Sequence, residues 1–219
     1  MSSIAEGAFQ SCTALKSLNL PEALTTIGRQ AFYGSGLQTI FIPKNVASIG
    51  LNAFSGCSSL ASIVVDKDNQ TFATPNNGNV VINKNEHLTV TGICNAKIPE
   101  GVTKITTYSL YSPTVTSVEI PSSVTEIEDY GIKSCSNLTS IVSRILTPFE
   151  LTTNAISGIS DQCVLTVPKG KRQAYIDKGW SEDVFKGGIV EAAPDADVNG
   201  DGQVSISDAV IIVDEILNK

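Results

Sequence analysis

A solenoid of stacked coils is the fold class this sequence predicts, and three observations predict it. Apolar residues recur at a fixed period: Ile27 to Ile49, Phe32 to Phe54, Pro21 to Pro43, Ile105 to Ile127 and Pro99 to Pro121 are each 22 residues apart, and Phe9 to Phe32 is 23. Within a unit, leucines stand two apart and then meet a proline, as in Leu18, Leu20 and Pro21. The chain is 42% hydrophobic and only 17% charged over 219 residues, enough apolar material for a shared core. A period of about 20 to 29 residues with leucines so placed is that of a leucine-rich-repeat solenoid. Its short strands stack into a sheet, with short loops and helical turns on the other side.

The unit runs I-G-x-x-A-F-x-x-C-x-x-L-x-x-L-x-L-P-x-x-L. It is plainest at Ala8-Phe9-Gln10-Ser11-Cys12 followed by Leu15, Leu18, Leu20, Pro21 and Leu24, recurs at Ala31-Phe32 and Ala53-Phe54, and weakens around Leu110 and Ile132. One such unit cannot bury its own apolar face, whereas stacked units share a core through neighbour contacts. Leu18 and Leu20 suit a strand with both side chains inward, and the proline ends it by removing a ladder donor. Val46 with Ile49, and Val124 with Ile127, supply a second inward pair. Because Ile4, Ala8 and Phe9 already belong to the middle of a unit, natural sequence is expected before Met1.

Alternation along the strands sends two columns outward. One holds Ser17, Thr39, Ser62, Ser117 and Ser140; the other holds Asn19, Phe41, Val64, Glu119 and Val142. The hydroxyl column reads equally as a solvated ladder of cross-strand pairs or as one edge of a ligand face. Phe41, Val64 and Val142, outward where water should be, favour a partner surface.

Ile49 to Ile105 is 56 residues, 34 more than one 22-residue step, and residues 66–98 form the insertion. Val80, Val81 and Ile82, then Leu88 and Val90, read as strands joined by turns in an irregular repeat. After Leu138 and Ile141 the pattern dissolves into a C-terminal cap from about residue 145. A short helix over Lys171–Lys178 is closed by Gly179 in the left-handed conformation, and Tyr175, Trp180, Phe185 and Ile189 cover the last coil. The repeat domain spans 1–190, a linker 191–196, and a separate motif 197–219.

Cys12, Cys57 and Cys135 each stand three places after the same repeat position, which predicts buried thiols and not a disulfide or metal framework. In the coil between the first two the position holds Ser35, which cannot pair. Cys94 and Cys163 take no role from the pattern.

Residues 2–190, with the V-P-K-G...Y...W...F ending, resemble the BspA-like family of bacterial surface leucine-rich repeats, whose unit is the one quoted above. The resemblance implies an extracellular or cell-surface protein that adheres to a host or matrix protein or a glycan, and it fixes no ligand. The chain carries no export signal, which is expected to have been removed.

Residues 197–208 place side-chain oxygens at loop positions one, three, five, nine and twelve. Asp197, Asn199, Asp201, the Gln203 carbonyl, Ser205 through water, and Asp208 make an oxygen set suited to calcium, with Gly202 at the bend. Asp208 stands where Glu is usual, and no apolar helix enters the loop, only one that leaves it. The motif resembles half of a type I dockerin, a module that docks into a cohesin. The resemblance marks Ile206 and Ser207, at the tenth and eleventh loop positions, as partner-choosing. Val210, Val213, Asp214 and Leu217 complete the candidate docking helix. Its apolar sides need cover from the solenoid flank, a second copy of the chain, a missing second half or a cohesin.

Residues 191–219 hold seven acids and one base, a charge of -6 out of -7, so the first 190 residues carry -1. No basic cluster suits nucleic acid, and no stretch approaches a membrane span. His87 is the only histidine, and no phosphate loop, paired-carboxylate cleft or zinc spacing appears. The sequence therefore predicts a non-enzymatic binding module with calcium-dependent docking at its C-terminus. The other reading is a passive spacer whose dockerin-like end binds a cohesin in a polysaccharide-degrading assembly.

Overall fold

The computed structural model describes residues 2–75, 80–92 and 96–192. The expected calcium ligands and docking-helix residues between 197 and 217, and Cys94, lie outside the described residues. So do residues 76–79.

The chain winds through about eight coils. On the first side of each coil, short parallel strands stack in two runs. One is β1 (Ser3–Ile4), β2 (Thr26–Ile27) and β4 (Ser48–Ile49); the other is the start of β8 (Leu88–Gly92), β10 (Lys104–Ile105) and β12 (Glu126–Ile127). A turn centred on the aromatic position follows, joined further along by β13 (Ile132–Lys133) and β15 (Ile156–Ser157). The third side is the principal sheet. It comprises two separate parallel ladders, β3 (Thr39–Ile42) with β5 (Ser62–Val65), and β9 (Ala96–Lys97), β11 (Ser117–Ile120), β14 (Ser140–Ser143), β16 (Val164–Val167) and β17 (Ile189–Glu191). The solenoid therefore does not dissolve after Ile141. Leu165, Val167 and Ile189 take inward places in two further coils, with Val164 outward opposite Ser140 and with Thr166 and Val190 continuing the column of Val142.

The aromatic turn is not helical, because the chain reverses its twist twice in it. The residue two before the central apolar one is left-handed in Gly7, Gln30, Asn52, Tyr108 and Tyr130, and the residue two after it in Ser11, Gly34, Gly56, Ser134 and Gly158, with φ between 52° and 72°. Those reversals aim the amides at the next coil: Phe9 N–H to Ala31 O at 2.7 Å, Phe32 N–H to Ala53 O at 2.8 Å, Ser134 N–H to Ser157 O at 2.9 Å. The rings stack accordingly, Phe9 on Phe32 at 5.3 Å and Phe32 on Phe54 at 5.4 Å. The glycine after the first-side isoleucine answers to the same closeness, since a Cβ on Gly50 would lie 2.4 Å from the Arg29 nitrogen of the coil before. After β3, β9, β11 and β16 a proline carbonyl accepts from the residue three on, as in Val46 N–H to Pro43 O at 3.2 Å and Val124 N–H to Pro121 O at 3.3 Å, and Val46 and Val124 are buried.

Cys57 and Cys135 are buried as expected, and the predicted stacking is direct: Cys57 Sγ lies 3.4 Å from Ser35 Oγ and also reaches Phe32 O. Burial pushes the Cys135 thiol up to about 11. Cys163, unassigned from sequence, is buried too. Cys12 departs from the expectation and is exposed. It belongs to the first described coil, whose outer side no other described coil covers, and Phe9, Leu15, Leu18 and Leu20 are only half-buried there. Residues 15–20 form no strand, contrary to the strand expected at Leu18 and Leu20, although Lys16 O accepts from Gln38 N–H at 2.9 Å.

The insertion is the hairpin the sequence implied, β6 (Phe72–Ala73) against β7 (Val80–Asn83) against β8, all antiparallel. It divides the interior in two. Val81 packs with the first coils and Val80, its neighbour, with the later ones. Asn69 anchors it: fully buried, its Nδ2 donates to the carbonyls of Pro43 and Val46 at 3.0 and 2.9 Å, and its Oδ1 accepts from the amides of Thr71 and Phe72.

The cap forms as expected. α1 (Arg172–Asp177) is one residue shorter at each end than Lys171–Lys178, and Gly179 is left-handed at φ 81°. Tyr175, Trp180 and Phe185 are fully buried. The Tyr175 hydroxyl sits 2.6 Å from Ser143 Oγ and donates to Ile145 O; Trp180 Nε1 donates to Phe149 O. Pairing continues past residue 190, since Ala192 N–H reaches Val167 O at 2.8 Å.

Asn69→Ala removes this partner from the Val46 carbonyl and the Thr71 and Phe72 amides and takes one of two donors from the Pro43 carbonyl, so it is expected to cost about 3 kcal/mol in urea unfolding. Asn45→Ala, which removes one exposed bond to Glu22 O, is expected to cost under ~1 kcal/mol. Equal costs would show that the insertion does not depend on Asn69.

Candidate functional site

The outward face of the principal sheet is built by strand alternation over a buried face. Along β3 and β5, Ile40, Ile42, Ile63 and Val65 point inward, leaving Thr39, Phe41, Ser62 and Val64 outward. Register then aligns the columns. Thr39 stands opposite Ser62 and Phe41 opposite Val64; Ser117 opposite Ser140 and Glu119 opposite Val142. Ser17 and Asn19 are exposed, but they lie outside any paired strand. Val142 is outward yet only half-buried, unlike Phe41 and Val64, which are 47% and 43% exposed.

The face is longer than the sequence columns. Lys97 on β9 pairs with Glu119, Ser140 with Val164, Val142 with Thr166, and Thr166 with Val190. These went unread for identifiable reasons. Lys97 sits in the insertion, where the period is lost, and Val164, Thr166 and Val190 lie beyond the last recognisable unit. Only the period-2 run Val164 to Val167 signalled a strand there.

At mid-face the second column becomes charged. Glu119 accepts from Lys97 Nζ at 3.0 Å on one oxygen and from Arg144 Nη2 at 2.7 Å and Nε at 3.1 Å on the other. Burial pushes the Glu119 carboxyl up, but the hydrogen bonds from Arg144 and Lys97 together outweigh it and hold the group below its usual range. A shallow hollow of about 280 Å³ lies beside the triad, walled by Pro99, Glu100 and Pro121. Glu100 is held from the next coil by the Ser122 amide. Exposed ion pairs add little stability; here one carboxylate fixes two long cations in place. The face thus runs from an apolar patch at Phe41 and Val64, through a charged centre, to hydroxyl and valine positions ending at Val190, which is 46% exposed.

His87 is exposed in the β7–β8 turn with a left-handed backbone, and its carbonyl accepts from Thr103 N–H. Among the described residues no group of three or more His, Cys, Asp or Glu could hold a metal ion.

A family model described as BspA type Leucine rich repeat region matches residues 1–79 and 69–150, in six copies. No curated protein matches the chain. Among solved structures the chain is similar to a leucine rich cell surface protein from Faecalibacterium prausnitzii, at 24% identity and a TM-score of 0.58, over 91% of this chain and 59% of that one. It is also similar to a leucine-rich repeat protein from Eubacterium ventriosum, at 20% identity and a TM-score of 0.50, over 85% of this chain and 57% of that one. The chain spans less than two thirds of the length of either, and the likeness is one of fold.

Since the folded Glu119 carboxyl titrates below its ordinary value, its stabilisation is full above the unfolded value of ~4.3 and is lost as pH falls through the folded one. Glu119→Gln is therefore expected to be less stable than the parent at neutral pH, and the gap to close as acid protonates Glu119. Thermal melts across that range check it; a gap independent of pH would mean the charge of Glu119 is irrelevant.

Proposed function

Because this chain belongs to the BspA-type leucine-rich-repeat family, we propose that it is an extracellular or cell-surface binding module that contacts a protein or glycan through the outward face of its principal sheet. The observation that carries this reading is the Phe41–Val64 pair. Two large apolar side chains stand side by side and nearly half exposed, on two strands hydrogen-bonded to each other in register. Hydrated apolar surface of this kind is released when a partner covers it. A rigid face loses little entropy on binding, and the pre-oriented Lys97–Glu119–Arg144 triad supplies directional contacts beside the apolar anchor. The surface location is supported by likeness to the Faecalibacterium prausnitzii cell surface protein. No helix among the described residues is long and apolar enough to cross a membrane.

The proposal includes calcium-dependent docking by the C-terminal motif, supported by the oxygen spacing of Asp197, Asn199, Asp201, Gln203, Ser205 and Asp208. A second reading, favoured by the apolar residues of the 210–217 segment, makes the solenoid a passive spacer. On it, the C-terminal segment alone engages a partner, with a cohesin as the candidate.

Two measurements test these. With the full chain applied to immobilised glycans and matrix proteins, Phe41→Ala/Val64→Ala is expected to weaken binding about tenfold or more, without changing the unfolding midpoint. Unaltered binding that disappears on truncation after Ala192 would favour the spacer. Calorimetric titration of the chelated chain with calcium is expected to show one saturable site, abolished by Asp197→Ala and accompanied by a metal-dependent change in sedimentation. Absence of calcium heat would remove the docking element from the proposal.

A further inference from the structure

Four of the five tyrosines, Tyr33, Tyr108, Tyr111 and Tyr130, gather away from the principal sheet along the aromatic turns. The coil between β8 and β9 is short. Leu88 pairs with Lys104, 16 residues on, where other coils step 22 or 23, and three residues separate β8 from β9 where 11 or 12 separate the first-side strand from the principal strand elsewhere. The turn of the third coil therefore meets that of the fifth directly: Gly56 N–H donates to Tyr111 O at 2.9 Å, and the Ser55 hydroxyl to Tyr108 O at 3.3 Å.

The mismatch leaves a hollow of about 240 Å³ lined by Tyr33, Gly34, Gly56, Tyr111, Pro113 and Ser134, with Ser112 beside them. Its aromatic wall is Tyr33 and Tyr111, stacked at 6.1 Å with hydroxyls 3.3 Å apart. Its floor is glycine, at a repeat position that holds serine in Ser11 and Ser134 with the same left-handed backbone. A side chain is thus compatible with that backbone, and its absence at Gly34 and Gly56 keeps the hollow open. No lining residue carries a formal charge.

We propose that this hollow binds one neutral pyranose ring of a glycan. An uncharged lining selects a neutral ligand. Aromatic rings offer a face to the C–H side of a sugar, while the tyrosine and serine hydroxyls exchange hydrogen bonds with its hydroxyls. The volume lies below the usual ~300–1,000 Å³ of larger ligand sites, which matches a single ring better than an extended peptide. Lys133, whose Nζ sits 3.8 Å from the Tyr130 ring centroid, holds the neighbouring tyrosines outside the hollow. The site is separate from the sheet face and does not rest on it.

The test is a two-dimensional amide NMR titration of the full chain with methyl β-glucoside, methyl β-galactoside and methyl α-mannoside, with a proline-rich decapeptide in parallel. Saturable shifts at Gly34, Gly56, Ser112 and Ser134 with at least one glycoside are expected. Gly56→Ser, which puts into the hollow a side chain the backbone position accepts elsewhere, is expected to weaken that binding at least fivefold while the rest of the spectrum stays in place. Tyr111→Phe, which keeps the ring stacking and removes one hydroxyl, is expected to weaken it less. Shifts with the peptide alone, no shifts with any glycoside, or glycoside binding indifferent to Gly56→Ser would each overturn the proposal.

Discussion

Everything in this molecule depends on one constraint: no coil can satisfy its own backbone, so each must hand its hydrogen bonds to the next. Gly7, Phe9 and Ser11 donate to Arg29, Ala31 and Tyr33; Gln30, Phe32 and Gly34 donate to Leu51, Ala53 and Ser55. The exchange is closed only if successive coils keep the same path, since a one-residue slip would turn inward side chains out. The 22-residue period, the doubled left-handed positions and the glycines pressed against the preceding coil are consequences of that single requirement. Even the hydroxyls obey it, with Thr25, Thr125 and Thr139 each donating to a carbonyl 22 or 23 residues earlier.

The insertion shows what happens when the path changes. Where the coil shortens, the third and fifth turns close on each other through Gly56 and Tyr111. Inside, Thr89 donates to Ser109 Oγ and takes the Thr106 amide, so among the described residues buried polar side-chain atoms remain paired. The two apolar interiors are then joined across one strand, with Val80 serving one side and Val81 the other.

This explains which parts of the fold were legible in sequence. The repeat was visible because buried positions admit few residue types: Phe9, Phe32 and Phe54 recur, and so do the prolines that turn the chain. The cap was visible because Tyr175, Trp180 and Phe185 are too bulky to sit in a regular coil. The last two strands were not, because sharing the register does not require a hydroxyl outside, and Val164 opposite Ser140 breaks the hydroxyl column without breaking the pairing. Cys12 was misread because periodicity reports a position within a coil and not whether another coil covers it. The tyrosine hollow left no sequence signal at all. Tyr33 and Tyr111 are 78 residues apart, and their meeting follows from a pairing between Leu88 and Lys104 that the repeat period does not announce.

The same asymmetry bears on the candidate face. Inward residues of the principal strands are fixed by the core, whereas outward ones touch only their neighbours in the column and solvent, so their identities are free to follow a partner. Thr39 beside Ser62, or Ser117 beside Ser140, is what such freedom yields when nothing but solubility and cross-strand pairing act. Phe41 beside Val64 is not: it leaves apolar surface in water without the burial that would stabilise the coil stack. Likewise Glu119 holds Lys97 and Arg144 from two adjoining coils at a cost in side-chain entropy that exposed ion pairs scarcely repay. Neither feature is explained by the stability of the solenoid, and both lie on the outward face of the principal strands. A surface that departs from what folding requires, at positions where folding requires least, is where a binding function is most economically placed.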